Sequence, residues 1–183
     1  ARFHVKQNEY DTIFASSSQF KSAIKIIRVT GNKAKKLPSI FNFKKPEPRI
    51  FSLRKLIFKK NVIDHAPVIW LPKDISFTGE ATYEIYIHGS IVIEKLIYKA
   101  LTSYKNFRLA KPGEFTKRAT INGNIDLIQA ESINDIVNTQ TEKQLSLAQS
   151  QLDGSLSKVI NNWRKEIIYI SSLIESLIDF SDE

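Results

Sequence analysis

The chain has 183 residues, with 27 Lys and Arg against 19 Asp and Glu, 42% apolar residues, and neither cysteine nor methionine. A chain of this size forms one domain of roughly 100–150 residues plus an appendage, and the missing cysteine excludes disulfides, thiolate catalysis, iron–sulfur clusters and cysteine-based zinc sites. His4, His65 and His88 are too widely spaced for an H-E-x-x-H metal helix, and no run approaches the ~18 apolar residues of a membrane span, so a cytoplasmic protein is expected.

In chain order, Asp11–Ala15 and Ile24–Thr30 carry short β-type patterns, and the Lys-rich stretch Gly31–Ile40 reads as a turn and a short helix. Arg49–Phe58 and Val62–Leu71 are apolar runs around the polar turn Lys59–Asn61, which predicts a hairpin. After a loop at Pro72–Gly79, the segment Glu80–His88 alternates: Tyr83, Ile85 and Ile87 point one way, and Thr82, Glu84, Tyr86 and His88 the other. Ser90 then caps a helix running to about Tyr104, with Ile93, Leu96, Ile97, Ala100 and Leu101 on one face. This first part predicts an α+β domain of mainly antiparallel strands with helices.

The rest is helical. Asp126 with Gln129, and Thr141 with Gln144, are capping-box signals for two helix starts. From Leu145 onward, apolar residues including Ala148, Leu152, Val159, Trp163, Ile167, Ile170, Ile174 and Leu177 recur every three or four positions. That period predicts one amphipathic helix of roughly 40 residues, with Gly154 as the place where it breaks if it breaks. Its apolar stripe needs another helix to cover it, from further sequence or from a second chain.

Charge divides the chain as well. Residues 1–118 hold 23 basic and 9 acidic residues, and residues 119–183 hold 4 and 10. An anionic partner for the first part is one reading of that contrast, and a solvated Lys-rich surface is the plainer one. The six glycines are never closer than ten residues, so neither G-x-x-x-x-G-K-[ST] nor G-x-G-x-x-G is present to cradle a nucleotide phosphate.

Five segments then occur in a telling order: DTIFA (Asp11–Ala15), IIRVTG (Ile26–Gly31), SFTGEATYEIYIHG (Ser76–Gly89), the long block RLAKPGEFTKRATINGNIDLIQAESINDIVNTQTEK (Arg108–Lys143) and IDFSDE (Ile178–Glu183). Together they resemble the N-terminal and first helical parts of the tRNA-modification GTPases of the MnmE/TrmE type. The resemblance implies a folate-binding and dimerising α+β domain over 11–122, preceded by an extra segment 1–10. Residues 123–183 would be the first part of a helical domain, truncated before the GTP-binding domain. It further implies a role in modifying C5 of the wobble uridine of tRNA, beside an FAD-dependent partner protein and as a homodimer. The expected cofactor is a tetrahydrofolate derivative, 5-formyl- or methylene-tetrahydrofolate. GTP, magnesium and potassium ions belong to the full-length family protein only, and this chain is not expected to hydrolyse GTP.

Residue by residue, the family's folate contacts fall on Arg28, Glu84 and Asn124. A carboxylate such as Glu84 accepts the adjacent N–H donors of a pterin, and a guanidinium such as Arg28 serves a carbonyl or the tail carboxylate, or orients the Glu. A plain ion pair between the two, or a solvent-facing Glu84, is the alternative. Asn124 stands where the family has a lysine, which removes a cation facing the anionic tail, and Ser17–Ser22 lacks the family's loop glycine. His88 reads as a turn-capping histidine, Asp64–His65 as a surface turn, and Trp70 and Trp163 as packing residues. Glu114, Lys117 and Arg118 follow the Pro112–Gly113 turn and either shape the site, touch RNA or suit the helix start. The rival function is a non-enzymatic basic module that binds RNA and oligomerises through the long helix, using lysines such as Lys35–Lys36 and Lys59–Lys60; a decayed remnant without activity is a third reading.

Overall fold

A computed structural model describes residues 11–17 and 22–179. The expectations for residues 1–10, for the middle of the Ser17–Ser22 loop and for 180–183 lie outside them. The chain divides after Asn124 into two compact units.

The first unit is built on a six-stranded sheet in the order β3-β4-β5-β2-β1-β6. Its strands are β1 (Thr12–Ser16), β2 (Ile24–Thr30), β3 (Ser52–Phe58), β4 (Asn61–Leu71), β5 (Thr82–His88) and β6 (Phe107–Leu109). All neighbours are antiparallel except β1 and β6, which run parallel. Its helices are α1 (Leu37–Ile40), α2 (Ile91–Thr102) and α3 (Glu114–Ile121). The alternation read in Glu80–His88 is present: Tyr83, Ile85 and Ile87 are fully buried, while Glu84 and Tyr86 are half-buried and His88 is exposed.

That buried face is the core. Phe14, Ile27, Val29, Val68 and Trp70 join it from the neighbouring strands, and Leu37, Ile40, Ile97, Ala100 and Leu101 close it from α1 and α2. The N-terminus of α2 is capped by Ser90, whose side chain accepts from the Val92 amide, and the helix is tied to β1 where the Ser16 amide donates to the Tyr98 hydroxyl at 2.8 Å. Gly89 must be glycine because a Cβ there would collide with the Ser22 carbonyl.

One expectation is corrected here. Asp64–His65 is no surface turn: both residues lie within β4, and Asp64 is buried. The Asp64 carboxylate accepts from the His65 amide at 2.7 Å and from the His88 amide at 2.9 Å, and pairs with His88 Nδ1 at 2.8 Å. His88 is thus held by a buried carboxylate at the end of β5.

The second unit contains α4 (Leu127–Asn138), α5 (Glu142–Leu152) and α6 (Ser155–Asp179). Both capping boxes form as read, at Asp126 with Gln129 and at Thr141 with Gln144. The single long helix does not form. Gly154 adopts φ +81°, the left-handed conformation that ends helices, and the amides of Asp153 and Gly154 close the last turn of α5 onto Gln149 and Gln151. The Gln129 amide group then donates to the Leu152 carbonyl at 2.7 Å, bringing the start of α4 to the end of α5. Along α6 the apolar stripe stays open: Trp163, expected to pack, is 60% exposed. No helix among the described residues is long and apolar enough to cross a membrane.

Candidate functional site

The site lies on the sheet face opposite the core. Antiparallel pairing of β2 with β5 puts Arg28 directly across from Glu84, and the flanking strands add Ala15 and Ile69 to the same row. Side chains in one row share a face, so residues 56 apart in sequence become neighbours. The Arg28 Nε donates to Glu84 Oε1 at 2.9 Å, and Nη2 reaches the same oxygen at 2.7 Å. The Arg28 side chain is 36% exposed and that of Glu84 13%, so the pair is open to a ligand from the guanidinium side while the carboxylate is largely withdrawn from bulk water.

Two rings flank the pair and a third packs on one of them. The guanidinium lies over the ring of Phe115, from the first turn of α3, at 5.8 Å. Two residues along β5 from Glu84, the Tyr86 hydroxyl donates to Glu84 Oε2 at 2.9 Å. The Tyr86 ring in turn packs on that of Phe51, with centroids 4.9 Å apart. Burial first, and then the hydrogen bond and charge of Glu84, push the Tyr86 phenol up to about 12, so it remains a donor at any physiological pH. Both carboxylate oxygens are therefore anchored, Oε1 by two nitrogens of Arg28 and Oε2 by the Tyr86 hydroxyl.

Asn124 is placed differently. It follows α3, and its amide donates to the carbonyls of Ser76 and Phe77, each at 3.0 Å, while Asn122 donates to the Thr78 carbonyl at 2.7 Å. The two asparagines brace the loop leading into β5. The structure thus joins Arg28 and Glu84 directly, and gives Asn124 carbonyl partners in that loop.

Glu114 and Arg118 belong to a charged clasp that positions α3. Arg108 donates to both Glu114 oxygens at 2.8 and 2.6 Å, Arg118 donates to Glu114 Oε1 at 3.2 Å, and the Lys111 amide adds a bond to Oε2 at 2.8 Å. Arg118 also donates to Glu80 and to the Asp11 carbonyl, both at 2.9 Å. At the far end of α3 a cleft of about 390 Å³ is lined by Lys35, Lys73, Glu80, Arg118 and Asn122 among others; Arg28 and Glu84 are not part of it.

Sequence reasoning singled out Arg28 and Glu84 but missed Tyr86, Phe51 and Phe115 as neighbours of the pair. For Tyr86 the signal was present, because alternation already placed it on the face of Glu84. Among the described residues no group of three or more His, Asp or Glu is arranged to hold a metal ion.

Comparison with known proteins agrees with the order of segments. The family model described as the GTP-binding protein TrmE N-terminus matches residues 12–124, and that of the MnmE helical domain matches residues 127–183. A tRNA modification GTPase MnmE of Anaplasma marginale is 42% identical over 176 residues, covering 94% of this chain and 39% of the relative. Proteins of the same name from Wolbachia of Drosophila simulans and from Cereibacter sphaeroides are 41% and 36% identical, covering 96% and 94% of this chain and 40% and 41% of their own lengths. The chain thus spans about two fifths of the length of the curated relatives it matches.

Proposed function

The chain belongs to the MnmE/TrmE family of tRNA modification GTPases, corresponding to their N-terminal part, and from that premise we propose that its first unit binds a tetrahydrofolate one-carbon carrier at Arg28 and Glu84. The observation that carries this reading is the cross-strand Arg28–Glu84 pair, held at 2.7 Å on an open sheet face between aromatic rings. A pterin presents a 2-amino-4-oxo edge with two adjacent N–H donors beside a carbonyl. Glu84 can accept the donors, Arg28 has N–H groups besides those on Oε1 for the carbonyl or a tail carboxylate, and the rings of Phe115 and Tyr86 offer flat surfaces for the heterocycle. The donor set therefore fits the ligand. When bound, the folate would supply the one-carbon unit; the residues here bind and orient it.

In this reading Asn124 adds no charge to the site and acts by holding the Ser76–Phe77 loop. The larger setting is also proposed: a homodimer through the first unit, an FAD-dependent partner protein, and tRNA whose wobble uridine receives the modification.

Isothermal titration calorimetry of 5-formyl-tetrahydrofolate into the chain and its Glu84→Ala variant tests the proposal. Saturable one-site heat in the wild type that disappears in the variant is expected. A folded wild-type chain giving no heat would refute the folate reading and leave the basic surface around Lys35 and Lys73 as the feature to pursue.

A further inference from the structure

Glu84 is a recognition group only if its plane is fixed. The torsion that turns a glutamate carboxylate is broad and nearly two-fold, so one partner on one oxygen leaves the other free to swing. Arg28 reaches only Oε1, through both Nε and Nη2. Oε2 is held by the Tyr86 hydroxyl at 2.9 Å, and the Tyr86 ring is itself set by Phe51 at 4.9 Å. With an anchor on each oxygen, the carboxylate has one orientation, and both oxygens meet a ligand in that fixed plane.

We propose that Tyr86 is the positioning and specificity-determining residue of this site: its hydroxyl fixes the plane of Glu84 so that the carboxylate selects a ligand edge with two coplanar N–H donors. The inference rests on the folate reading above and names what makes that site discriminate. A pterin retaining N3–H but lacking the 2-amino group offers only one such donor. The oriented carboxylate then has one oxygen without a ligand partner, and the penalty for that mismatch is largest when the plane cannot relax. Loss of the Tyr86 hydroxyl lets the carboxylate rotate toward whichever donor is available, so discrimination falls along with affinity. The ring contact with Phe51 is retained in Tyr86→Phe, which separates the hydroxyl from the packing.

The test is calorimetric titration of two ligands, 5-formyl-tetrahydrofolate and its 2-desamino-2-methyl analogue, into the wild-type chain, Tyr86→Phe and Glu84→Ala, with circular dichroism and thermal unfolding confirming that each is folded. Tyr86→Phe should bind 5-formyl-tetrahydrofolate about tenfold more weakly, as expected for losing a hydrogen bond to a charged group. Its affinity for the analogue should barely change, so that the preference between the two ligands shrinks by about the same factor. Phe51→Leu, which loosens the ring and keeps the hydroxyl, should move both quantities in the same direction by less, and it keeps the idea testable if Tyr86→Phe fails to fold. Unchanged affinity in Tyr86→Phe, or equal losses for both ligands, overturns the assignment; if Glu84→Ala has meanwhile abolished binding, the folate site itself stands. A folded wild-type chain that binds neither ligand removes the folate reading and this assignment together.

Discussion

Glu114 sits between two guanidinium groups, and its titration reports how firmly they hold it. The hydrogen bonds from Arg108 lower its carboxyl to about 2 against an ordinary 4.5; burial opposes them, and the Lys111 amide and Arg118 add to the lowering. A carboxyl that takes up its proton later in the folded state than in the unfolded one adds stability above its unfolded value. That contribution drains away as pH falls from about 4.5 through about 2. Its size is roughly 3 kcal/mol at neutral pH. Urea unfolding of Glu114→Gln at pH 7 and near pH 2.5 should show a deficit of about 2–3 kcal/mol at the higher pH that narrows at the lower one. Parallel pH curves for the two proteins would show that the clasp contributes no charge-dependent stability. The consequence reaches the site, because the clasp fixes the first turn of α3 and thereby the Phe115 ring beneath Arg28.

The hairpin of β3 and β4 is an element whose sequence and conformation disagree locally. Phe58 pairs with Asn61, which leaves Lys59 and Lys60 as a two-residue turn, and both have positive φ, 48° and 68°. Positive φ at both central positions is the type I′ signature, for which Asn-Gly is the favoured pair and which strains residues with a Cβ and long side chain. Replacing the pair, Lys59→Asn with Lys60→Gly, should raise stability by about 1 kcal/mol in denaturant titration without altering ligand affinity. A neutral or destabilising result would mean that the lysines are not strained there. The hairpin itself was legible from the sequence because two apolar runs flank a polar turn, and β5 was legible because one buried face imposes a period of two. What sequence left out was long-range. No local pattern announces that β6 pairs parallel with β1, or that a carboxylate in β4 reaches His88. The apolar period runs through Gly154 in phase, so the break between α5 and α6 depends on one left-handed residue that composition alone offers only as an option. At the site, the adjacency of Arg28 and Glu84 is a product of register rather than spacing. Tyr86 could be placed on their face from alternation, but its reach to Glu84 is a matter of side-chain direction.

On the scale of the molecule, the two units differ in what they leave exposed. The first is rich in lysine, whereas the second presents the apolar side of α6, a helix of 25 residues that is ~37 Å long at 1.5 Å per residue. Along it Ile167 is 65% and Leu177 72% exposed, with Trp163, Ile170 and Ile174 open on either side. An uncovered apolar strip of that extent costs free energy wherever water meets it, and water is excluded most simply by a second such surface. The chain should therefore self-associate as concentration rises, seen as an increasing sedimentation coefficient and as binding of an apolar fluorescent dye that falls on association. Ile167→Lys with Ile174→Lys should remove the association that runs through α6, leaving any dimer formed by the first unit, and abolish the dye signal. Affinity for 5-formyl-tetrahydrofolate should be unchanged in that variant, because Arg28, Glu84 and Tyr86 all belong to the other unit. A wild-type chain whose sedimentation does not change with concentration and that binds no dye would show the strip to be covered in solution. Loss of folate affinity in the double variant would instead tie ligand binding to association, making the helical unit a condition of the site rather than a bystander to it.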